Sequence, residues 1–202
     1  MAEGTASLLP ATLTLPPRLL ATIGLPFSGK STAARAVAEA LMMDGDADLV
    51  AVDDIMVKLP AGATERDRWI ARYRIAHTRL ADDLQHSAFA VFDAVNHRRH
   101  QRDRLRRIAA RAGVGIRFLW IATPEAVALD RLRRNHARPT RPDVPEDEFR
   151  AIADAFQPPD TEPDVLRYDG LIPLERWADS LAEALTVRDD LHSDGGLAFR
   201  RC

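Results

Sequence analysis

Of the 202 residues, 46% are hydrophobic, 29% charged and 6% aromatic, which suits one globular domain and is too apolar for a disordered chain. Thirty acids against 28 bases leave a formal charge of −2; this argues against a grip on nucleic acid through overall positive charge, though it does not exclude a local one. No apolar run approaches the roughly 18 residues of a membrane span, and the single cysteine, Cys202, allows no internal disulfide.

Residues 1–17 carry Ser, Thr and Pro with one acid and no base. They are expected to form a flexible leader, and without early positive charge they fit neither a secretory nor a transit signal, so the expected location is cytoplasmic. Short apolar runs then alternate with longer amphipathic stretches, the pattern of βαβ units on a parallel sheet. In chain order the predicted elements are strand Leu19–Ile23, helix Lys30–Met43, strand Asp48–Val52, helix Glu65–Gln85, strand Phe89–Phe92 and helix His97–Ala112. Strand Ile116–Ile121, helices Pro124–Asn135 and Glu146–Phe156, strand Val165–Tyr168 and helix Leu174–Val187 follow. Thr123-Pro124-Glu125 sets a cap, a first-turn proline and an early acid in order. Asn96 is expected to cap the helix whose apolar stripe is Leu105, Ile108, Ala109 and Ala112. Ser193-Asp194-Gly195-Gly196 belongs to an expected flexible tail, 188–202. The reading is one α/β domain over 18–187 with five parallel strands.

Between the first strand and the first helix stands Gly24-Leu25-Pro26-Phe27-Ser28-Gly29-Lys30-Ser31-Thr32, which matches G-x-x-x-x-G-K-[ST], the phosphate-binding loop. Glycines let the backbone curl so that successive N–H groups point at an anion, and the following helix adds its positive N-terminal end. Lys30 is expected to reach the β- and γ-phosphates, and the Ser31 hydroxyl to ligate Mg²⁺. Of the 28 bases, 26 are arginine and two are lysine, Lys30 and Lys58. In a chain of this composition the pattern arises by accident about once in 2,500 sequences.

Nucleotide binding leaves several enzyme classes open. A GTPase needs an Asn-Lys-x-Asp stretch to read its base, and Lys58, between Val57 and Leu59, offers none. A small phosphotransferase remains, and its parts can be sought. The second strand runs into Asp53 and Asp54, at the sheet edge where open α/β sheets bind ligands. There Asp53 can take the proton of an attacking hydroxyl, while Asp54 orients it or the substrate. The third strand ends in Asp93, in the manner of a Walker B element that holds Mg²⁺; Asn96 just beyond is a candidate for substrate contact. Phosphoryl transfer needs positive charge over the migrating group, which small kinases bring on a mobile lid. Arg131, Arg134 and Arg138 share a helical side, with Arg131 assigned to the nucleotide and Arg134 and Arg138 to catalysis. The seven arginines from Arg98 to Arg111 read instead as a solvated outer face. Trp69, Tyr73 and His77 recur every four residues on one helical face, the spacing of core packing. Because the segment after the second strand often forms a kinase's acceptor pocket, Arg72 and Tyr73 are expected to contact the acceptor.

These stretches, together with Val91-Phe92-Asp93-Ala94-Val95-Asn96-His97-Arg98, Trp120-Ile121-Ala122-Thr123-Pro124 and Gln157-Pro158-Pro159 with Glu162, resemble the predicted-kinase family of P-loop proteins. That family is related to the phage polynucleotide 5′-kinase domain and more distantly to gluconate kinase and chloramphenicol phosphotransferase. The resemblance covers residues 18–187. It implies a five-stranded parallel sheet of order 2-3-1-4-5, an ATP–Mg²⁺ donor, a lid of arginines and Asp53 as general base. Two departures bear on the acceptor. Met56 stands where polynucleotide kinases tend to carry a phosphate-holding arginine, and Val95 replaces the usual threonine of the third-strand motif. The expectation is an ATP-dependent kinase acting on a small-molecule hydroxyl, as a monomer or homodimer. The alternatives are a polynucleotide 5′-end kinase and a non-catalytic ATP-binding regulatory protein.

Overall fold

The computed structural model describes residues 17–44, 46–169 and 172–193. Residues 1–16 of the expected leader, and the end of the expected tail with Gly195, Gly196 and Cys202, lie outside the described residues. Five strands, β1 (Pro17–Ile23), β2 (Ala47–Ala51), β3 (Phe89–Asp93), β4 (Gly115–Ile121) and β5 (Val165–Tyr168), form one sheet of order β2-β3-β1-β4-β5. Every pairing is parallel. Strands buried on both faces read as continuous apolar runs, and all five residues of β3 are buried.

The helices are α1 (Lys30–Asp44), α2 (Glu65–His86), α3 (Arg99–Ala112), α4 (Glu125–Ala137), α5 (Glu146–Asp154) and α6 (Leu174–Ser193), of which α1, α2, α3 and α6 pack on the sheet. On one face Leu19, Ala21, Phe92 and Phe118 pack with Tyr73, Leu80 and Leu105 of α2 and α3. On the other Leu20, Val91 and Leu119 pack with Val37, Leu41 and Leu181 of α1 and α6. The period-2 alternation of β1 thus feeds both cores. A third cluster joins Phe27 of the phosphate loop to Ala128, Leu132 and Phe149 of α4 and α5.

Local signals set several ends. Thr64 and Asp67 form a capping box at the start of α2, and Gly113 closes α3 in the left-handed region at φ 71°. Two expected caps are corrected. Arg98, not Asn96, is the residue before α3, its N–H donating to Gln101 Oε1 at 2.9 Å. Pro124 takes the cap position of α4, and Thr123 turns elsewhere. The last helix runs past Val187 to Ser193.

The expected solvated face of α3 is also corrected in part. Arg102 is 1% exposed; it grips the Glu162 carboxylate and donates to the backbone oxygens of Asn96 and Gln157, each at 3.0 Å. Arg106 pairs with Glu162, Asp164 and Asp103. Buried carboxylates, not solvent, hold these two guanidinium groups.

Candidate active site

The phosphate loop is built around a glycine that nothing larger can replace. A Cβ on Gly24 would stand 2.7 Å from Ser28 Oγ, 2.9 Å from the Ile121 carbonyl oxygen and 3.3 Å from Lys30 Cγ. Its N–H donates to the Val95 oxygen at 3.2 Å, tying the loop to the end of β3. Phe27 sits in the left-handed region at φ 61°, a strained conformation for a non-glycine residue. Its ring is anchored in the α4–α5 cluster and lies 3.7 Å beneath the Arg141 guanidinium. Three hydrogen bonds secure the outer carbonyls: Arg131 Nη1 reaches the Phe27 oxygen at 3.3 Å and the Ser28 oxygen at 3.2 Å, and the Thr123 hydroxyl donates to the Ser28 oxygen at 2.7 Å. Ser28 Oγ is buried without a hydrogen-bond partner. The first turn of α1, beginning at Lys30, directs its unpaired N–H groups and positive dipole end into the same hollow. Leu25 and Pro26 complete the loop, Ser31 is half-buried and Thr32 exposed.

Sheet register brings the carboxylates to this loop. Ala51 pairs with Asp93, and Ala21 with Phe92, so Thr22 lies beside Asp93 and the turn after β2 lies beyond it. Thr22 Oγ1 is 3.0 Å from Asp93 Oδ1 and 2.8 Å from the Ala94 oxygen. Asp53 and Asp54 occupy a single 3₁₀ turn, Val52–Asp54, at the rim. Burial on the protein side, then the charge of Asp93, raises the Asp53 carboxyl above its ordinary 3.8; Lys30 and Arg72 oppose the rise. Lys30 is 8% exposed and donates from Nζ to the Leu25 oxygen at 2.6 Å. Burial lowers its ammonium to about 8, against the pull of Asp93 and Asp53.

These two shifts fix the signs of a pH profile. Above about 8 Lys30 loses its proton and the loop its central cation, so kcat/KM for ATP is expected to fall about tenfold per pH unit. On the acid side, protonation of Asp53 removes the carboxylate expected to act as base, with a limb displaced upward from the ordinary aspartate value. Steady-state rates across pH check both limbs, and Lys30→Arg, always charged, is expected to remove the basic one.

The other candidates are placed as follows. Asn96, buried at φ 46°, donates from Nδ2 to the Thr22 oxygen at 2.8 Å, and Arg102 in turn holds its carbonyl. Tyr73 is buried, and burial followed by the charges of Asp53 and Asp93 pushes its hydroxyl pKa up. Its ring stands in a ladder, 4.3 Å from Trp69 and 5.8 Å from His77, which stacks on Phe92 at 5.6 Å. Arg72, half-buried, acts electrostatically on Asp53. Arg131 is at the loop, whereas Arg134 pairs with Asp130 at 2.7 Å on the exposed side of α4. Arg138 follows that helix, exposed, its N–H on the Arg134 oxygen at 3.0 Å.

Sequence reasoning missed three contributors. Arg141 lies over Phe27 and is coupled by charge to Arg131 and Asp53; prolines at 139 and 142, which stiffen the backbone, were its signal. Thr123 was claimed by a local cap. Thr22 reads as one polar residue in an apolar strand, and a buried hydroxyl calls for a partner.

Beside the loop a cavity of about 490 Å³ opens between Gly29, Thr32, Thr123, Arg131, Tyr168 and Asp169, a size that accepts a small ligand. The loop and the sheet order describe a P-loop kinase-like fold, with carboxylates at the sheet edge beside the loop. Residues 19–159 match the model of AAA_33, an AAA domain. The chain belongs to the AAA_33 family. No curated protein matches this AAA_33 chain. Solved structures share its fold. A gluconokinase from Sinorhizobium meliloti 1021 superposes with a TM-score of 0.60 at 22% identity, over 90% of this chain and 98% of that one. Chaetomium thermophilum Kti12, in complex with ADP-AlF3, gives 0.64 at 20% identity over 83% and 98%. The Mycobacterium tuberculosis APS kinase CysC, in complex with AMPPNP and APS, gives 0.57 at 22% over 84% and 99%.

Proposed function

We propose that this AAA_33 protein is an ATP-dependent kinase that transfers the γ-phosphoryl group to a hydroxyl of a small molecule. The observation that carries the reading is the convergence of Lys30, Asp93 and Asp53 at the mouth of the phosphate loop, where Asp53 is held more basic than an ordinary carboxylate. Asp53 takes the acceptor hydroxyl proton as that oxygen bonds to the γ-phosphorus. The bond from phosphorus to the β–γ bridging oxygen breaks, ADP leaves with its electrons, and Asp53 returns the proton to solvent. Lys30 and the loop N–H groups bind the β- and γ-phosphates, and the cavity beside Thr123 and Tyr168 takes the nucleoside. Arg131 and Arg141 lie close enough to the loop to neutralise charge spreading over the transferred group. Arg134 and Arg138 would do so only by turning from solvent.

The donor set suits Mg²⁺, which takes hard oxygen ligands beside phosphates and water. Asp93 Oδ1 engages Thr22 while Oδ2 carries no hydrogen bond among the described residues, and the Ser31 hydroxyl opens α1. When bound, the ion would neutralise β- and γ-phosphate charge.

A transfer screen with γ-labelled ATP tests the reading. Small-molecule alcohols are expected to acquire label and a 5′-hydroxyl oligonucleotide is not. Label on the oligonucleotide alone would make the protein an end kinase; nucleotide binding with no transfer to any acceptor would leave it a regulatory ATP-binding protein.

A further inference from the structure

We propose that the acceptor is an anion, a small molecule whose reacting hydroxyl lies near a carboxylate or phosphoryl group, and that Arg72 binds that group. The inference rests on the kinase reading, since it names the acceptor of the same site.

The starting observation is an arginine without a partner. Other guanidinium groups set into this fold are engaged: Arg102 and Arg106 hold buried carboxylates, and Arg131 holds loop carbonyls. Arg72 is half-buried on the inner side of α2, beside Tyr73 and one turn before Ala76, both buried. Its Nε is buried yet makes no hydrogen bond, and it forms no ion pair among the described residues. Burying a charged donor unpaired is costly. A guanidinium kept in that state is preorganised for a ligand that supplies the missing oxygens.

Its location selects the acceptor rather than the nucleotide. α2 packs on the 3₁₀ turn that carries Asp53, and the Arg72 charge acts on Asp53. The phosphate loop has its own cations: Lys30 and Arg131 bond its carbonyls, and Arg141 lies on Phe27. At the rim Asp53 and Asp54 would repel an anionic acceptor, so such an acceptor requires a local cation, and Arg72, whose charge acts on Asp53, supplies one. Trp69, three residues earlier on the same helix, is 48% exposed with its ring against Tyr73. It offers an aromatic plate for the carbon frame of a small molecule. One guanidinium flanked by two acids is the wrong surface for a polyanion, which needs several phosphate contacts. It fits a single charge.

Two measurements test this on the full-length protein. In the first, the Arg72 side-chain Nε–H resonance, assigned by its loss in Arg72→Lys, is followed with the phosphate loop filled by Mg²⁺ and a non-hydrolysable ATP analogue. Inorganic phosphate or acetate is expected to shift it saturably and glycerol is not; no shift, or a shift in step with the exposed arginines, overturns the proposal. In the second, labelled transfer is compared between neutral sugars or polyols and the matching aldonates and sugar monophosphates. Anionic members are expected to be preferred about tenfold or more, and Arg72→Ala to raise their KM about tenfold while the KM for ATP holds, with Arg72→Lys recovering part. Equal use of neutral acceptors, a loss in kcat alone, or an oligonucleotide as the best acceptor overturns it. A saturable Arg72 shift without transfer to any compound would sink the kinase reading and leave the anion site standing.

Discussion

Asp53→Asn is expected to slow phosphoryl transfer by about 10²–10⁴-fold, the usual cost of losing a general base. The amide keeps the shape of the side chain but cannot take a proton. Removing a negative charge beside Lys30 also lowers the repulsion felt by nucleotide phosphates, so the affinity for an ATP analogue is expected to hold or rise slightly. Single-turnover rates and calorimetry separate the two effects. A variant that transfers phosphate at the native rate, or that loses nucleotide binding together with activity, would remove Asp53 from the role of base. The acid limb of the pH profile gives a second view, because it should vanish with the titratable group.

Arg102→Ala is expected to destabilise the fold by about 3 kcal/mol, the lower end of the cost of stripping a partner from a buried charge. The lower end applies because Arg106 still pairs with Glu162. For a chain of this length that corresponds to a drop of about 6–12 °C in Tm, measurable by calorimetry. Arg102 also holds the Asn96 and Gln157 carbonyls, which would lose their donor. The sharper check is the double variant Arg102→Met with Glu162→Met. Replacing both charges with apolar groups of similar size is expected to cost less than Arg102→Ala alone. Equal or greater loss in the double variant would show that packing around α3, not the charge of Glu162 left with Arg106 alone, sets the cost.

The two misread caps show where sequence reading stops. Thr123-Pro124-Glu125 is a valid local start signal, yet the Thr123 hydroxyl goes to the Ser28 oxygen, 95 residues away in the chain. Asn96 likewise gives its amide to the Thr22 oxygen across 74 residues. Side chains that serve local caps also serve distant backbone, and only the fold decides between them. The same holds for α3. The seven arginines from Arg98 to Arg111 match a solvated face by spacing, but Glu162 and Asp164 return from far along the chain to pair with Arg102 and Arg106.

What periodicity could read, it read well. The β5 bounds, Val165–Tyr168, agree to the residue, and each remaining strand is found within about two residues. The strand order came from the family resemblance, since alternation alone does not rank parallel strands. The phosphate loop was plain because its chemistry is written in consecutive residues. The arginines were harder. Arg131 and Arg134 lie three apart on one helix, yet Arg131 reaches the loop and Arg134 pairs outward with Asp130. Arg141, beyond the helix, enters the site through its contact with Phe27, which no helical spacing foretells.

The most direct test of the account compares wild type and Lys30→Ala in transfer of γ-label from ATP to the preferred acceptor, at matched concentration and confirmed fold. The account predicts label on an acceptor hydroxyl in the wild type and a fall of about 10²–10³-fold in the variant, the scale of losing one preorganised charge-stabilising group. Transfer by Lys30→Ala at the native rate would contradict it.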